Sequence, residues 1–500
     1  MPVFIYNSLT KKKEELIPIN PPEIKMYVCG VTVYDKCHIG HARGAFIFDM
    51  VRNYLNHRGY KVTYVRNITD VDDKIINKAA NLVGKYEKEG IIKNLNEAVN
   101  EITREYIEEY YKDMNLLGIN KADVEPKATA HIDDMIRMIE VLIEKGYAYE
   151  IDGNVYFDIT KYKEYGRLSN QSIEELQEGV RKESDKKKKN PLDFALWKKA
   201  KENEPYWPSP FSKGRPGWHL ECSVMSIKYI GEHFDIHGGG RDLIFPHHEN
   251  EIAQSQCYTG KTFANIWMHN GLLTIEGQKM AKSLGNFITI KDVLEQYTPE
   301  VLKLFFLSSH YASPIDFSYK KMQENKTALD KFYIFFDKVK RLQEENNKAL
   351  KRCSHEENIS NVPQYNKSFE QSREAFIAAM DDDFNTPAAL ASLYDMLNLG
   401  NKLVSDKAID DAHKVSALKS IELSLKKLGT ILGLFKPTAY KKDEEEDMEA
   451  LDKVMQILID IRNQARSKKN YELADKIRDE LEKAGIVIED EKESTIWRKK

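Results

Sequence analysis

Residues 25–65 constrain this chain more than any other stretch. Lys25-Met26-Tyr27-Val28-Cys29 reads as a short strand, and Gly30 ends it. Between Ala45 and Arg58, the residues Phe46, Ile47, Met50, Val51, Tyr54 and Leu55 recur at the spacings of one helix face. Gly59 suits the C-terminal end of that helix. Val62-Thr63-Tyr64-Val65 is a second strand. Strand, helix and strand in so short a span make a βαβ unit, with parallel strands and a right-handed crossover. The fold class expected is therefore α/β with a parallel sheet.

Composition sets the outer limits. At ~100–200 residues per domain, 500 residues make about three or four domains. A 41% hydrophobic and 31% charged chain with a mean hydropathy of -0.57 has enough apolar material for real cores. No apolar run approaches the ~18–20 residues of a membrane-spanning helix. The first residues, Met-Pro-Val-Phe-Ile-Tyr, resemble no targeting peptide, so a cytoplasmic protein without membrane contact is expected. Cys29, Cys37, Cys222, Cys257 and Cys353 are odd in number and widely spaced. That pattern suits reduced thiols, some of them metal ligands, better than a disulfide framework. A net charge of -4 argues against a general nucleic-acid coat and leaves room for a local basic face.

Further along, residues 119–200 read as an insertion, with helical patterns around a strand at Asn154-Val155-Tyr156-Phe157. The charged run Arg181 to Lys189 reads as a loop, either simply solvated or in contact with phosphates. From Trp218 to Asn270 the α/β character returns, with Phe234-Asp235-Ile236 as a strand before a triple glycine. Beyond residue 325 the pattern is helical throughout. Leu329, Phe332, Phe336, Val339 and Leu342 mark one amphipathic face, Val454, Ile457, Ile461 and Ala465 another, and Leu473, Ile477, Leu481 and Ala484 a third. The acidic run Asp443 to Asp447, after Pro437, is the best linker in that half.

Two short motifs carry phosphate chemistry. His38-Ile39-Gly40-His41 lies between the first strand and its helix, where backbone N–H groups and the helix dipole favour an anion. Imidazole N–H groups there add donors for a phosphoryl group. Lys279-Met280-Ala281-Lys282-Ser283 puts two lysines in a glycine-flanked loop, a bracket for a polyphosphate. Each motif alone is weak. A metal reading arises independently. His247 and Glu251, four apart, share a helix face, Cys29 ends a parallel strand, and Cys222 could join from the second half. Two thiolates, an imidazole and a carboxylate suit zinc. From spacing alone, a buried thiol beside an ion-paired helix fits as well. His248 competes with His247 as ligand, but its i+4 neighbour is Ile252.

Taken together the two motifs resemble the signature pair of class I aminoacyl-tRNA synthetases. The resemblance narrows to the cysteinyl-tRNA synthetase family through several further segments. They are Cys29-Gly30-Val31-Thr32-Val33-Tyr34-Asp35, Asn67 to Lys74, Pro216 to Ser223, Phe234 to Gly240, Phe245 to Glu251, Met380 to Pro387 and Ala474 to Asp479. It covers essentially the whole chain. It implies a Rossmann-type catalytic domain in two halves, 1–118 and 201–275, separated by the connective insertion 119–200. A signature-loop and stem-contact region, 276–325, a helical bundle, 326–440, and an anticodon-binding region, 441–500, would follow. The departures are mild: Ala281 stands where serine is common, Cys37 beside His38 has no implied role, and the Lys-rich run 181–189 is longer than the activity needs.

The same resemblance implies an ATP-dependent ligase that activates L-cysteine and passes it to the terminal ribose of tRNA(Cys), at the 2′-hydroxyl. His38 and His41 would stabilise the transition state, and Lys279 and Lys282 would hold phosphates with Mg²⁺. Gly40, Gly239, Asp242 and Lys282 would bind ATP. Gly30, Thr32, Thr69, Trp218 and His237 would line the cysteine pocket. One Zn²⁺ per chain would sit on Cys29, Cys222, His247 and Glu251, and the protein would act as a monomer. Tyr471, Arg478 and Trp497-Arg498-Lys499-Lys500 would offer stacking and phosphate contacts near the anticodon, with Arg462, Arg466, Lys468, Lys469 and Lys476 beside them.

Zinc makes physical sense there. A hydrophobic pocket separates near-isosteres such as cysteine and serine by only ~1–3 kcal/mol. A thiol of pKa ~8.5 is deprotonated outright on coordination, whereas an alcohol is a harder and far weaker acid. The metal would then select the substrate and would not act as a hydrolytic centre.

Overall fold

The computed structural model describes residues 2–89, 91, 94–172, 175, 188–202, 204–280, 284–346, 359–436, 441–490 and 495–499, with backbone alone at 361, 441–450 and 499. It divides into two compact units, Met1–Phe435 and Lys436–Lys500. Lys282, Cys353 and most of the charged run 181–189 lie outside the described residues.

A small hairpin, β1 (Phe4–Asn7) and β2 (Lys12–Glu15), precedes the βαβ unit of β3 (Glu23–Thr32), α1 (Ile39–His57) and β4 (Lys61–Thr69). The two strands pair in parallel, as the sequence requires. Helix α1 starts six residues before the apolar face does, because the His38 side chain caps it. Next come α2 (Asp73–Lys88), α3 (Leu95–Leu116) and α4 (Ile132–Glu144). An antiparallel sheet follows, of β5 (Ala148–Ile151), β6 (Asn154–Phe157), β7 (Phe194–Lys199) and β8 (Gly214–Pro216). The sheet of the insertion thus runs past residue 200, because β7 pairs with the strand seen at Asn154 and β8 pairs in turn with β7.

A second strand–helix–strand return is built from α5 (Trp218–Ile230), β9 (Phe234–Gly240), α6 (Glu249–Thr259) and β10 (Ala264–Asn270). The central sheet has the order β10-β9-β3-β4, all parallel. Connections leave β3 and β9 in opposite directions, so the carboxyl ends of these neighbours form the crevice where such sheets bind ligands. The triple glycine is strand, not a turn: Gly238 sits in β9, and a Cβ there would lie 2.3 Å from the Phe48 ring of α1.

A three-stranded sheet of β11 (Leu273–Ile275), β12 (Gln278–Lys279) and β13 (Ile315–Phe317) carries α7 (Ile290–Leu294) and α8 (Pro299–Leu307) between its strands. Long helices α9 (Tyr319–Glu345), α10 (Pro363–Asp381), α11 (Thr386–Ser405) and α12 (Asp411–Ile431) complete the first unit. Leu329, Phe332, Phe336 and Val339 are buried, as their spacing predicts.

The second unit holds α13 (Lys441–Ser467), α14 (Tyr471–Lys483), β14 (Ile486–Asp490) and β15 (Thr495–Lys499). It differs from the sequence reading in three ways. The acidic run 443–447 is inside α13 and is not a linker. The end of the chain is a β-hairpin and not helix, since Ile486-Val487-Ile488 pairs with Trp497 to Lys499 after the turn at Gly485. The buried face of α13 is also rotated. Val454, Ile457 and Ile461 are exposed, while Met455 and Ile459 join Leu481 and Ile488 in the core. Arg462 turns inward with that face, because Asp490 on β14 accepts two hydrogen bonds from it, each of 2.8 Å.

Candidate metal centre and active site

Four donor atoms converge at the carboxyl end of β3. Cys29 Sγ lies 3.5 Å from Cys222 Sγ, 3.4 Å from His247 Nε2 and 3.3 Å from Glu251 Oε1. His247 Nε2 is 3.0 Å from the same Glu251 oxygen. Strand β3 delivers Cys29, the second turn of α5 delivers Cys222, and the helical turn Ile244–His248 delivers His247 one turn before Glu251 at the start of α6. Cys222, His247 and Glu251 are buried almost completely. All four donor atoms lie within 4.8 Å of one another. A second set, Cys29, His237, His248 and Glu251, meets the same test and shares two members.

Unpaired, this group would be a costly thing to bury. Burial and the neighbouring Cys222 push the Cys29 thiol well up. Cys222 is itself penalised by burial, yet Cys29 and His247 draw it down to about 6. Against its own desolvation, Glu251 is held well below the usual carboxylate range by His237 and His247. Two soft sulfurs, one imidazole and one carboxylate in a largely buried pocket fit a zinc ion.

The surrounding rings fix these donors. Trp218, 36% exposed, stacks on His247 with centroids 4.1 Å apart, so it is a lid over the site and not core. His237 is fully buried beneath, with Nε2 2.9 Å from Glu251 Oε2 and its ring stacked on Trp267 at 4.2 Å. It therefore reaches the pocket through Glu251. His248 Nδ1 is engaged 2.8 Å from His269 Nε2. Burial, then the nearby His247, pushes His219 well below the ordinary imidazole range, and its Nδ1 is 2.9 Å from His247 Nδ1. Gly30 and Thr32 are partly exposed at the rim, whereas Thr69 is 2% exposed with its hydroxyl bonded to Asn67 and Glu221.

The first signature sits alongside. His38 Nδ1 accepts the N–H groups of Gly40 at 3.0 Å and His41 at 3.3 Å. An acceptor at Nδ1 leaves the proton on Nε2, so the ring is a neutral donor. Burial pushes His38 down to about 4 and His41 to about 3. The two rings stack at 3.7 Å, an arrangement that disfavours charge on either.

The second signature approaches from β12. Lys279 is exposed on that strand, and the Met280 methyl lies 4.0 Å from where a Cβ on Gly40 would stand. The chain beyond returns to the same place: Ile39 N–H bonds to Ile288 O and Ile290 N–H to Cys37 O, each at 3.2 Å. Both ends of the lysine loop are thus tied to the histidine motif. Gly239 is strand backbone packed under His248, and Asp242 is exposed in the turn after β9.

The sequence assigns no role to Arg43, nor to Asn67, His219 and Glu221, which appear in it only within segments that resemble the family. Arg43 is fully buried and donates to the carbonyls of Gly271, Leu272, His310, Tyr311 and Ser313 at 2.7–3.5 Å. It fastens α1 to the segments that enter β11 and β13. The only sequence hint was a charged residue at a buried helix position.

In the second unit, Trp497 packs against the small core and its indole N–H donates to Asp452 at 3.0 Å. It is therefore not a free stacking platform. Tyr471 is 59% exposed, and Lys476 and Arg478 are exposed on the same helix.

Comparison with known proteins matches these units one by one. Residues 15–327 match the tRNA synthetases class I (C) catalytic domain, 375–436 the DALR domain, and 448–498 the cysteinyl-tRNA ligase anticodon binding domain. The chain is 47% identical over 511 residues to a cysteine–tRNA ligase of Sulfurihydrogenibium sp., covering 100% of both. It is 46% identical over 495 residues to that of Carboxydothermus hydrogenoformans, covering 99% of both. Among solved structures, a methionyl-tRNA synthetase of Mycobacterium tuberculosis bound by methionyl-adenylate shares the fold, with a TM-score of 0.61 at 13% identity over 82% of this chain and 91% of that one. With the catalytic and anticodon-binding domains both present and full-length relatives at this identity, the chain belongs to the cysteinyl-tRNA synthetases, class I ligases that join cysteine to tRNA.

Proposed function

We propose that the chain activates L-cysteine with ATP and passes it to tRNA(Cys), with the thiol selected at a zinc ion held by Cys29, Cys222, His247 and Glu251. The observation that carries this is the convergence of those four donors within 4.8 Å at the sheet's switch point. This set is preferred to the His237–His248 set because it contains both sulfurs, whereas the other contains one. Zinc, when bound, would supply a soft Lewis acid that favours a thiolate over a hydroxyl.

The chain's own residues do the rest. Gly30, Thr32 and Trp218 shape the mouth of the cysteine pocket, and His237 braces Glu251 from below. The substrate carboxylate attacks the α-phosphorus and pyrophosphate leaves, so catalysis is mainly positioning and charge stabilisation. His38 and His41, as neutral Nε2–H donors at the start of α1, face the developing charge together with the helix N–H groups. Lys279 and Lys282 neutralise the departing phosphates, where Mg²⁺, when bound, would supply further positive charge, and Gly239 and Asp242 take the adenosine. The terminal ribose hydroxyl then attacks the acyl carbon and releases AMP. The second unit contributes the anticodon contact, with Tyr471 and Arg478 as its exposed aromatic and cation.

The test is amino-acid-dependent pyrophosphate exchange and tRNA charging with cysteine and serine side by side, with zinc measured on the same sample. One zinc per chain, exchange with cysteine alone and charging of tRNA(Cys) are expected. Full exchange in metal-free protein would overturn the zinc reading. Exchange without charging would point to a different acyl acceptor.

A further inference from the structure

Strands β3 and β4 pair in step from Glu23 opposite Lys61 to Val28 opposite Arg66, and resume with Val31 opposite Ile68. Between these stretches β3 has two residues, Cys29 and Gly30, where β4 has one, Asn67. Such a β-bulge re-aims a side chain and leaves ladder groups unpaired. Here the partner residue's own side chain fills the gap: Asn67 Oδ1 accepts the Gly30 N–H at 2.8 Å. A backbone N–H can only donate, so the amide oxygen faces Gly30 and its NH₂ points away. That NH₂ donates to Thr69 Oγ1 at 3.1 Å, and the Thr69 hydroxyl donates to Glu221 Oε2 at 3.0 Å. Asn67 and Thr69 are each 2% exposed and Glu221 1%. A Cβ at Gly30 would stand 1.6 Å from the Asn67 carbonyl oxygen, so only glycine lets the strands close at this point.

The relay therefore runs from the bulge that carries Cys29 to the residue preceding Cys222. We infer that Asn67, Thr69 and Glu221 are positioning residues that set the aim and spacing of the two sulfurs, an assignment that rests on Cys29 and Cys222 being zinc ligands. The Thr69 hydroxyl donates its hydrogen bond to Glu221, so Thr69 supports the pocket and does not donate to the substrate. Asn67 works through geometry: without its oxygen the Gly30 N–H is orphaned, and the bulge can relax to an ordinary ladder that turns Cys29 away.

The full-length protein decides this. Zinc affinity is read by chelator competition, and the cobalt-substituted protein reports both sulfurs through its thiolate-to-metal charge-transfer absorption. Asn67→Ala should weaken zinc binding ~10–100-fold, alter the cobalt spectrum and raise the cysteine KM, with the ATP KM unchanged. Asn67→Asp has the same size, keeps an acceptor for Gly30 and loses the donor to Thr69. It should also weaken zinc, and it serves if Asn67→Ala does not fold. Glu221→Ala should weaken zinc comparably, whereas Glu221→Gln, which still accepts from Thr69, should keep wild-type affinity. Wild-type zinc affinity and cobalt spectrum in cooperatively melting Asn67 variants, beside a Cys222→Ser control that has lost zinc, would overturn the clamp and leave the zinc reading standing. Equal loss in Glu221→Gln and Glu221→Ala would also overturn it. If Cys222→Ser bound zinc like the wild type, the ligand assignment would fall, and the clamp with it.

Discussion

His219 and His247 face each other Nδ1 to Nδ1 across 2.9 Å. One proton must lie between them. His247 turns its Nε2 to Glu251 and Cys29, so Nδ1 is the end that remains for His219. With Nε2 given to a metal, Nδ1 carries the hydrogen and donates it. His219 then fixes the tautomer and the ring plane, while Trp218 holds the ring's face.

Replacing His219 should consequently loosen the metal. His219→Ala is expected to lower zinc affinity ~10–100-fold, the usual range for a ligand's outer hydrogen-bond partner. Chelator competition on the intact protein is the check. An affinity equal to wild type would mean that Trp218 stacking alone orients His247.

The buried guanidinium of Arg43 makes a stability prediction. Its bonds go to five backbone carbonyls. Arg43→Met should destabilise the first unit by on the order of 3 kcal/mol: the Ser313 carbonyl is left without its donor, which costs roughly 1–3 kcal/mol, while the other four carbonyls keep a second donor and lose only the charged one. Arg43→Lys, with three donors and no fork, should recover only part of that. Denaturant unfolding would measure both, and a neutral Arg43→Met would show that water replaces the guanidinium.

The signature histidines should set an acid limb of stability. Burial lowers His38 from 6.5 to about 4 and His41 from 6.5 to about 3. Below pH ~6.5 the unfolded chain binds protons that the folded chain refuses, so stability falls as pH drops from there towards about 3. His38→Asn keeps a side-chain oxygen at the helix cap and removes one titrating group. Its stability should fall less between pH 7 and pH 5 than that of the wild type. Equal slopes in the two proteins would place the proton uptake elsewhere.

The lysine loop should act on rate. Lys282→Ala is expected to slow adenylate formation ~10²–10³-fold, the range for losing one group that stabilises transition-state charge. Cysteine binding should change much less. Pre-steady-state measurement of adenylate formation over a range of cysteine concentrations separates the two, and a wild-type rate would leave the loop a structural role only.

In the second unit Asp490 joins the buried Arg462 to the exposed Arg466, at 2.8 Å each. Hydrogen bonds from Arg462 hold its carboxyl well below the usual range, so the link should survive acid that protonates ordinary carboxylates and be lost only as pH falls through that low value. Asp490→Asn should destabilise this unit by about 1–3 kcal/mol. Faster amide exchange across residues 451–490 of the full chain, with the first unit unchanged, is the expected result.

What the sequence determined by itself is whatever depends on local periodicity and on motif content. The βαβ unit, the amphipathic face from Leu329 to Val339 and the i, i+4 pairing of His247 with Glu251 all follow from 3.6-residue and two-residue repeats, and they stand in the fold. The two signature motifs and the candidate donor set were readable because residue types with so specific a chemistry occurred in one order along the chain. Tertiary structure alone decided which atoms meet. Cys29 finds Cys222 across 193 positions and His247 across 218. The phase of α13 was misread because Val454, Ile457 and Ile461 are as apolar as Met455 and Ile459. Only the hairpin with Asp490, unseen in a helical pattern, selects which stripe turns inward. Trp497, Arg43 and Asn67 follow the same rule. A buried polar group must find a partner, and that partner is fixed by which backbones pack together, not by the residues on either side of it in the chain.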